Sequence, residues 1–250
     1  MKIKCVTLIL ACFLACGFVS AQSVDEIFTN FFDKTGDIKA RKNLKTLKIT
    51  GTAPSPRGNF PITMYSKAPN LVKVVLDIQG QQYIAQAYDG TIAWALNPFQ
   101  GGKNAEKFPP AQAEDVALDA NFDAAYVYSK FTNYRQMGYS PKLEGKEQID
   151  GRECFKIKFV KNKSTKEDAV EYYYFDTETK YLVRYTVAGI TENEKWEKHQ
   201  LFGDYREVGG GVKMPFLQEV RYNDKVVRKL LATNITVNEN IDNSIFAYPN

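Results

Sequence analysis

Leu71-Val72-Lys73-Val74-Val75-Leu76-Asp77-Ile78 sets the period of this chain. Val72, Val74, Leu76 and Ile78 fall on one side of an extended segment, and Lys73, Val75 and Asp77 fall on the other. A period of two is a β-strand with one buried face. The same rhythm runs upstream, where Leu47 and Ile49 alternate with Lys48 and Thr50, and Phe60, Ile62 and Met64 form a further set. Gln79-Gly80 turns the chain into a strand over 82–89, and Asp89-Gly90 is a strong hairpin signal leading into 91–96. Downstream, Phe155, Ile157 and Phe159 alternate with Lys156 and Lys158. More strands are expected near 169–176, 181–189, 196–207, 213–222 and 225–237, with turns at Asp150-Gly151 and Gly209-Gly210-Gly211. About eleven strands joined by short links predict a large antiparallel sheet curled into a barrel or half-barrel.

Two stretches change the period. In residues 23–36, Ser23 can cap a helix, Glu26 is its capping-box partner, and Ile27, Phe28, Phe31 and Phe32 make one apolar face. Asn97-Pro98-Phe99, Gly101-Gly102 and Pro109-Pro110 break the strand series. Residues 111–130 then read as helical, with Val116, Ala120, Ala124 and Val127 roughly on one side. There is no linker and no repeat, so residues 22–250 are expected to form one domain.

Residues 1–21 are expected to be a secretory signal peptide. Lys2 and Lys4 lead into an apolar run from Val6 to Val19, which exits through Val19-Ser20-Ala21, placing cleavage after Ala21. The run is short for a membrane span, which needs about 20 apolar residues. An alternative uses Phe13-Leu14-Ala15-Cys16-Gly17, a rough lipoprotein box that would leave the protein anchored through an acylated Cys16. Cleavage after Ala21 lowers the net charge from +4 and leaves 31 basic against 29 acidic residues, so charge gives no case for nucleic acid. It also leaves Cys154 as the one cysteine, without an internal disulfide.

Few residues invite catalysis. The chain has one histidine, His199, in a strand with no nucleophile motif beside it. Cys154 opens an alternating strand and reads as a small core residue. Glu192, Glu194 and Glu197 sit among lysines as a solvated hairpin would. Gly209-Gly210-Gly211 precedes neither a helix nor a Lys-Ser/Thr pair, so it is a turn and not a phosphate cradle. No Cys/His spacing suits zinc and no acidic loop suits calcium, so an enzyme, a metal and a cofactor are not expected. What the sequence offers is apolar area inside a curled sheet. Barrels of this size either fill with side chains or hold a ligand. Met64, Trp94, Tyr172, Tyr174 and Trp196 are large enough to line an adaptable cavity, with core packing as the plain alternative.

Lys67-Ala68-Pro69-Asn70-Leu71, followed by Asp89-Gly90-Thr91-Ile92-Ala93-Trp94-Ala95-Leu96-Asn97-Pro98-Phe99, resembles the LolA family of periplasmic lipoprotein carriers. The finish through Phe246-Ala247-Tyr248-Pro249 resembles that family's closing Phe-x-x-Pro. Asp204-Tyr205-Arg206 to Met214-Pro215 is similar to the wider set of LolA-like outer-membrane lipoprotein-sorting proteins. The resemblance implies a mainly β fold with helices, an incomplete antiparallel β-barrel under a helical lid. It implies a hydrophobic cavity, here lined by Ile49, Ile62, Met64, Val72, Val74 and Leu76, then Trp94 and Leu96, then Phe155, Ile157, Phe159, Tyr172, Tyr174 and Trp196, with Phe28, Phe31 and Phe32 in the lid. It implies a monomeric periplasmic carrier of acylated lipoproteins or other lipids, loaded by an inner-membrane ATP-driven extractor and unloaded at an outer-membrane acceptor. A lipid-binding or envelope-sensing module without lipoprotein cargo is the alternative. One position departs from the pattern. The family's lid latch is an Arg directly before Pro-Asn, and Ala68 stands there, beside a Lys67 whose ammonium lacks the planar donor fork of Arg.

Overall fold

The computed structural model describes residues 22–97, 99, 104–120, 122, 128–161, 170–191 and 194–249. The expected leader with its Cys16 alternative, Ala124 and Val127 of the expected helix, and Glu192 lie outside the described residues.

Thirteen strands form one antiparallel sheet, two more than the sequence suggests. Six come before the helical insert: β1 (Thr46–Ser55), β2 (Gly58–Lys67), β3 (Leu71–Ile78), β4 (Gln81–Tyr88), β5 (Ala93–Leu96) and the two-residue β6 (Glu106–Lys107). Seven follow it: β7 (Tyr139–Ile149), β8 (Arg152–Lys161), β9 (Val170–Asp176), β10 (Leu182–Thr191), β11 (Glu194–Gly209), β12 (Val212–Tyr222) and β13 (Lys225–Val237). Each set is a meander in which neighbours in sequence pair in space. The sets join where β1 pairs with β13, Ile49 opposite Ile235. At a bulge in that seam the two backbones close on Gly51, where a Cβ would lie 2.2 Å from the Leu231 carbonyl oxygen. The order leaves β6 and β7 as the two outer edges, unpaired with each other. Because they are consecutive in the chain, the segment between them must cross from one edge of the sheet to the other.

The helices lie on the concave face. In α1 (Val24–Thr35) the Ser23 hydroxyl accepts the Glu26 N–H at 3.2 Å, and Gly36 ends the helix by donating its N–H to the Phe32 carbonyl. A short α2 (Ile38–Lys42) follows. The expected helix over 111–130 is instead two: α3 (Pro110–Ala120), with proline at its start where no N–H is needed, and α4 (Tyr128–Asn133). No helix among the described residues is long and apolar enough to cross a membrane.

The outer face is covered over β3–β5 by the C-terminal segment. Phe246 is fully buried, Trp94 Nε1 donates to its carbonyl at 2.9 Å, and the Tyr248 ring meets Trp94 edge-on at 6.2 Å. Lys67 Nζ donates to the Ile241 carbonyl at 2.6 Å, so the lysine of the latch motif ties down this tail.

Candidate functional site: the covered concave face

Cross-strand register builds the first half of the interior. Ile49 faces Met64, Met64 faces Val74, and Ile62 faces Leu76. These five side chains and Val72 therefore share one face, as β pleating requires. Leu44 and Phe122 pack on them from above, and Val116 and Ala120 of α3 close over Val72 and Ala93.

The second half is aromatic. Phe155, Ile157 and Phe159 of β8 share a buried cluster with Tyr173 and Phe175 of β9. Ile27, Phe28, Phe31 and Phe32 of α1 fill that surface together with Phe131 of α4 and Tyr134 just after it. Phe28 and Phe131 stack, and Phe131 stands edge-on to Tyr173 at 5.0 Å and to Phe175 at 5.4 Å. Such pairs add about 0.5–1.5 kcal/mol each beyond simple area burial.

A charged pair lies inside this aromatic half. Lys130 of α4 is ion-paired and hydrogen-bonded to Glu171 of β9, with side chains only 14% and 17% exposed. The ammonium sits 4.3 Å above the Tyr139 ring, and Tyr173 Oη donates to Glu171 Oε2 at 2.7 Å. Desolvation pulls Lys130 down from its ordinary value, against the opposing pull of Glu171. Burial holds the Tyr173 and Tyr185 phenols well above theirs, so both remain neutral. The pair pins α4 to the sheet floor. Nothing in the sequence marks it, because its partners are 41 residues apart and neither belongs to a motif.

Four of the expected lining residues face away from this interior. Tyr172 and Tyr174 are on the outer face, because register puts them opposite Lys158 and Lys156 while Tyr173 and Phe175 point in. Arg184 lies over Tyr174 at 4.1 Å, and Lys156 over Tyr172 at 4.8 Å. Trp94 and Leu96 join Ile84, Ala87 and Val75 on the outer face beneath the C-terminal segment. Trp196 is on the inner side, distant in register from the helices, with its ring packed flat on Gly189.

Burial is graded along the interior. At the helix end Leu47, Ile49, Phe175, Val212 and Met214 are almost completely buried. At the opposite end, where the β1–β2, β3–β4, β10–β11 and β12–β13 turns lie, the inner residues Phe60, Leu76, Ile78, Val187 and Trp196 are half-buried. The helix end carries a separate cleft of about 560 Å³, lined by Lys42, Leu44, Lys45, Ala68, Pro69, Asn70 and Phe122. Phe122 reaches it through its N–H, which donates to the Pro69 carbonyl at 3.0 Å. Position 68, where the resembling family has its latch, thus opens on a cleft with two lysines.

Among the described residues the candidate reactive groups are not brought together. His199 is buried on the outer face against Thr186 Oγ1 at 2.9 Å, and desolvation lowers its basicity. Burial pushes the Cys154 thiol up to about 11, which keeps it protonated and unreactive. Among the described residues no three His, Cys, Asp or Glu side chains gather as a metal site needs.

No protein-family model matches the sequence, and no curated protein matches it either. Solved structures do. A LolA superfamily protein from Nitrosomonas europaea superposes with a TM-score of 0.52 at 12% identity, over 91% of this chain and 98% of that one. The fold is LolA-like. A DUF1329 family protein from Desulfovibrio piger gives a TM-score of 0.56 at 12% identity, again over 91% and 98% of the two chains. A Vibrio parahaemolyticus domain provisionally named as outer membrane lipoprotein-sorting gives 0.53 at 9% identity, over 90% and 97%. At such identities what the chains share is the LolA-like backbone, an open antiparallel sheet with helices on its concave side.

Proposed function

We propose that the protein is a periplasmic carrier that holds the acyl chains of lipoproteins in its concave face and delivers them toward the outer membrane. The observation that supports this most is the pairing of an apolar concave sheet with a cover made of short helices and the residues beside them. The export leader, ending at Ala21 or lipid-anchored at Cys16, and the LolA-like fold agree with it. In this reading an inner-membrane ATP-driven extractor loads the monomer and an outer-membrane acceptor empties it.

The energetics are demanding. A sixteen-carbon chain costs about 12 kcal/mol to hold in water, at about 0.8 kcal/mol per CH₂. A shuttle must offset most of that and still release. Here Phe28, Phe31, Phe32 and Phe131 occupy the surface that an acyl chain would use. Cargo therefore gains only the difference between its own burial and that of the helices, and affinity stays moderate.

The direct test is recovery of the protein from the periplasm, followed by mass spectrometry of co-purifying lipids and lipoproteins. Diacyl or triacyl lipoproteins are expected. Free lipids alone would favour the non-lipoprotein alternative, and an empty protein that also fails to bind a fluorescent fatty acid would refute both. Val74→Glu places an unpaired charge in the apolar interior and should abolish probe binding. Lys73→Gln, on the other face over Trp94, should preserve it.

A further inference from the structure

The ends of the β10–β11 and β12–β13 hairpins stand side by side, because Lys198 pairs with Tyr222 across β11 and β12. Ile190, Val226 and Val227 there are 63%, 56% and 63% exposed, the three most exposed large hydrophobic side chains among the described residues, and Tyr222 is 47% exposed. Among the described residues the sheet registers stop at Ala188 of β10, Lys198 of β11 and Leu231 of β13, so the two hairpin ends project beyond the body of the sheet. Ile190 and Val226 both lie on the outer side, three strands apart and four residues out of level, so exposed aliphatic groups are spread along the lip and mark an edge that can meet another apolar phase.

Charge and aromatic placement indicate which phase. Register puts Trp196, Lys198, Tyr222, Lys225 and Arg228 on the inner side of the lip. The Trp196 and Tyr222 rings stack at 6.5 Å, 9° from parallel. A Cβ on Gly189 would come within 2.6 Å of the Trp196 ring, so glycine is what lets the indole lie flat there. Lys195, Lys198, Lys225 and Arg228 are exposed and make no ion pair among the described residues. Two of the nearby acids, Glu197 and Asp224, turn to the outer face, 3.3 and 3.7 Å from His199 Nε2, and Glu194 stays at the tip. Aliphatic tips, a Trp–Tyr pair and unpaired cations are the side chains suited respectively to the acyl boundary, the headgroup layer and lipid phosphates.

We propose that this lip docks the protein on an anionic bilayer surface, with the loosely covered end of the half-barrel facing the lipid. This goes beyond the carrier reading, since a docked protein need not be a carrier, and the experiment separates the two.

Flotation of the mature chain with vesicles of phosphatidylethanolamine and phosphatidylglycerol tests it, with phosphatidylcholine vesicles as comparison. Binding is expected to the anionic vesicles only and to weaken with salt, since exposed charges are screened beyond about 8 Å at physiological ionic strength. The tryptophan emission should shift to the blue, and this shift should vanish in Trp196→Phe. Ile190→Ser with Val226→Ser and Val227→Ser, and separately Lys198→Glu with Lys225→Glu and Arg228→Glu, should each weaken vesicle affinity by about tenfold or more. Circular dichroism and fatty-acid-probe affinity, measured on the same variants, should stay as in the wild type. The proposal fails if the wild-type chain ignores anionic vesicles, or if both folded variants bind as well as it does. It also fails if the wild-type chain is a dimer that the serine variant dissociates while neither touches vesicles, which would make the lip a contact between copies. Vesicle binding without probe binding would retain the docking lip and overturn the carrier.

Discussion

Phe28 of α1 and Phe131 of α4 stack ring on ring, with centroids 4.7 Å apart and planes 17° from parallel. Two helices more than ninety residues apart in sequence therefore behave as one cover. Phe131→Ala should cost stability of the order of 3–5 kcal/mol. If the cover competes with cargo, the same change should raise fatty-acid-probe affinity. A loss of stability with unchanged or weaker probe binding would show that cover and cargo do not share a surface.

The buried pair beneath α4 yields a second expectation. Glu171→Gln leaves the Lys130 ammonium without its counter-charge in an aromatic setting, at a cost of about 3–5 kcal/mol. Replacing both partners, Lys130→Met with Glu171→Leu, should be close to neutral, because an apolar pair fits that surface. Urea unfolding of the three proteins decides this. A double variant as damaged as the single one would mean that the pair matters for more than its charge balance.

Acid should loosen the α1–α4 contact. Tyr134 Oη donates to Asp25 Oδ1 at 2.7 Å and Arg135 to Oδ2 at 3.1 Å. The Tyr134 hydrogen bond and then the Arg135 interactions hold Asp25 below its ordinary value of 3.8. A carboxylate with a depressed folded-state pKa stabilises fully above its unfolded value and loses that contribution as pH falls through the folded one. The contact is therefore intact at neutral pH and weakens only below about pH 4. Hydrogen exchange of α1 should increase on acidification in the wild type, and Asp25→Asn should remove this component of the pH response.

The structure also bears on restoring the missing latch. An arginine at position 68 would enter the cleft beside Lys42 and Lys45, with no carboxylate among the described residues of its lining. Three nearby carbonyls already accept a hydrogen bond: Lys42 O from Lys45 Nζ, Lys45 O from the Ala68 N–H, and Pro69 O from the Phe122 N–H. Ala68→Arg should thus change probe affinity and release by no more than about twofold, under 0.5 kcal/mol. A tenfold drop in affinity would mean that the arginine has found a partner and closed the cover. Lys67→Ala should release the tail at Ile241 and leave the cover alone, which hydrogen exchange at 241–248 would report.

The alternating strands were legible because most have one more polar face. Val72, Val74 and Leu76 alternate with Lys73, Val75 and Asp77 and point where the period places them. The capped start of α1 was legible for a similar reason, since Ser23 and Glu26 sit at fixed offsets from an apolar stripe. The direction of Tyr172 and Tyr174 was not. Tyr172-Tyr173-Tyr174-Phe175 has no polar alternation, because the inner face is covered by helices and the outer face by Lys156 and Arg184. Trp94 misleads in the same way, as its outer face is covered by a segment about 150 residues downstream. The ion pair of Lys130 with Glu171 depends on α4 packing over β9 of the second meander, which no local pattern encodes.

The gap between β6 and β7 has a mechanical consequence. The sheet is a bracelet with an unclasped opening, since β6 and β7 are not paired with each other. Widening it breaks no backbone hydrogen bond between the two edges, so the girth of the interior can change without unzipping a strand. The exposed margins are also poor templates for clumping: β6 is two residues long, and β7 carries Pro141, Lys142, Glu144 and Lys146. In the carrier reading, such a sheet would swell around guests of different bulk and deflate between them, while staying unattractive to its own neighbours.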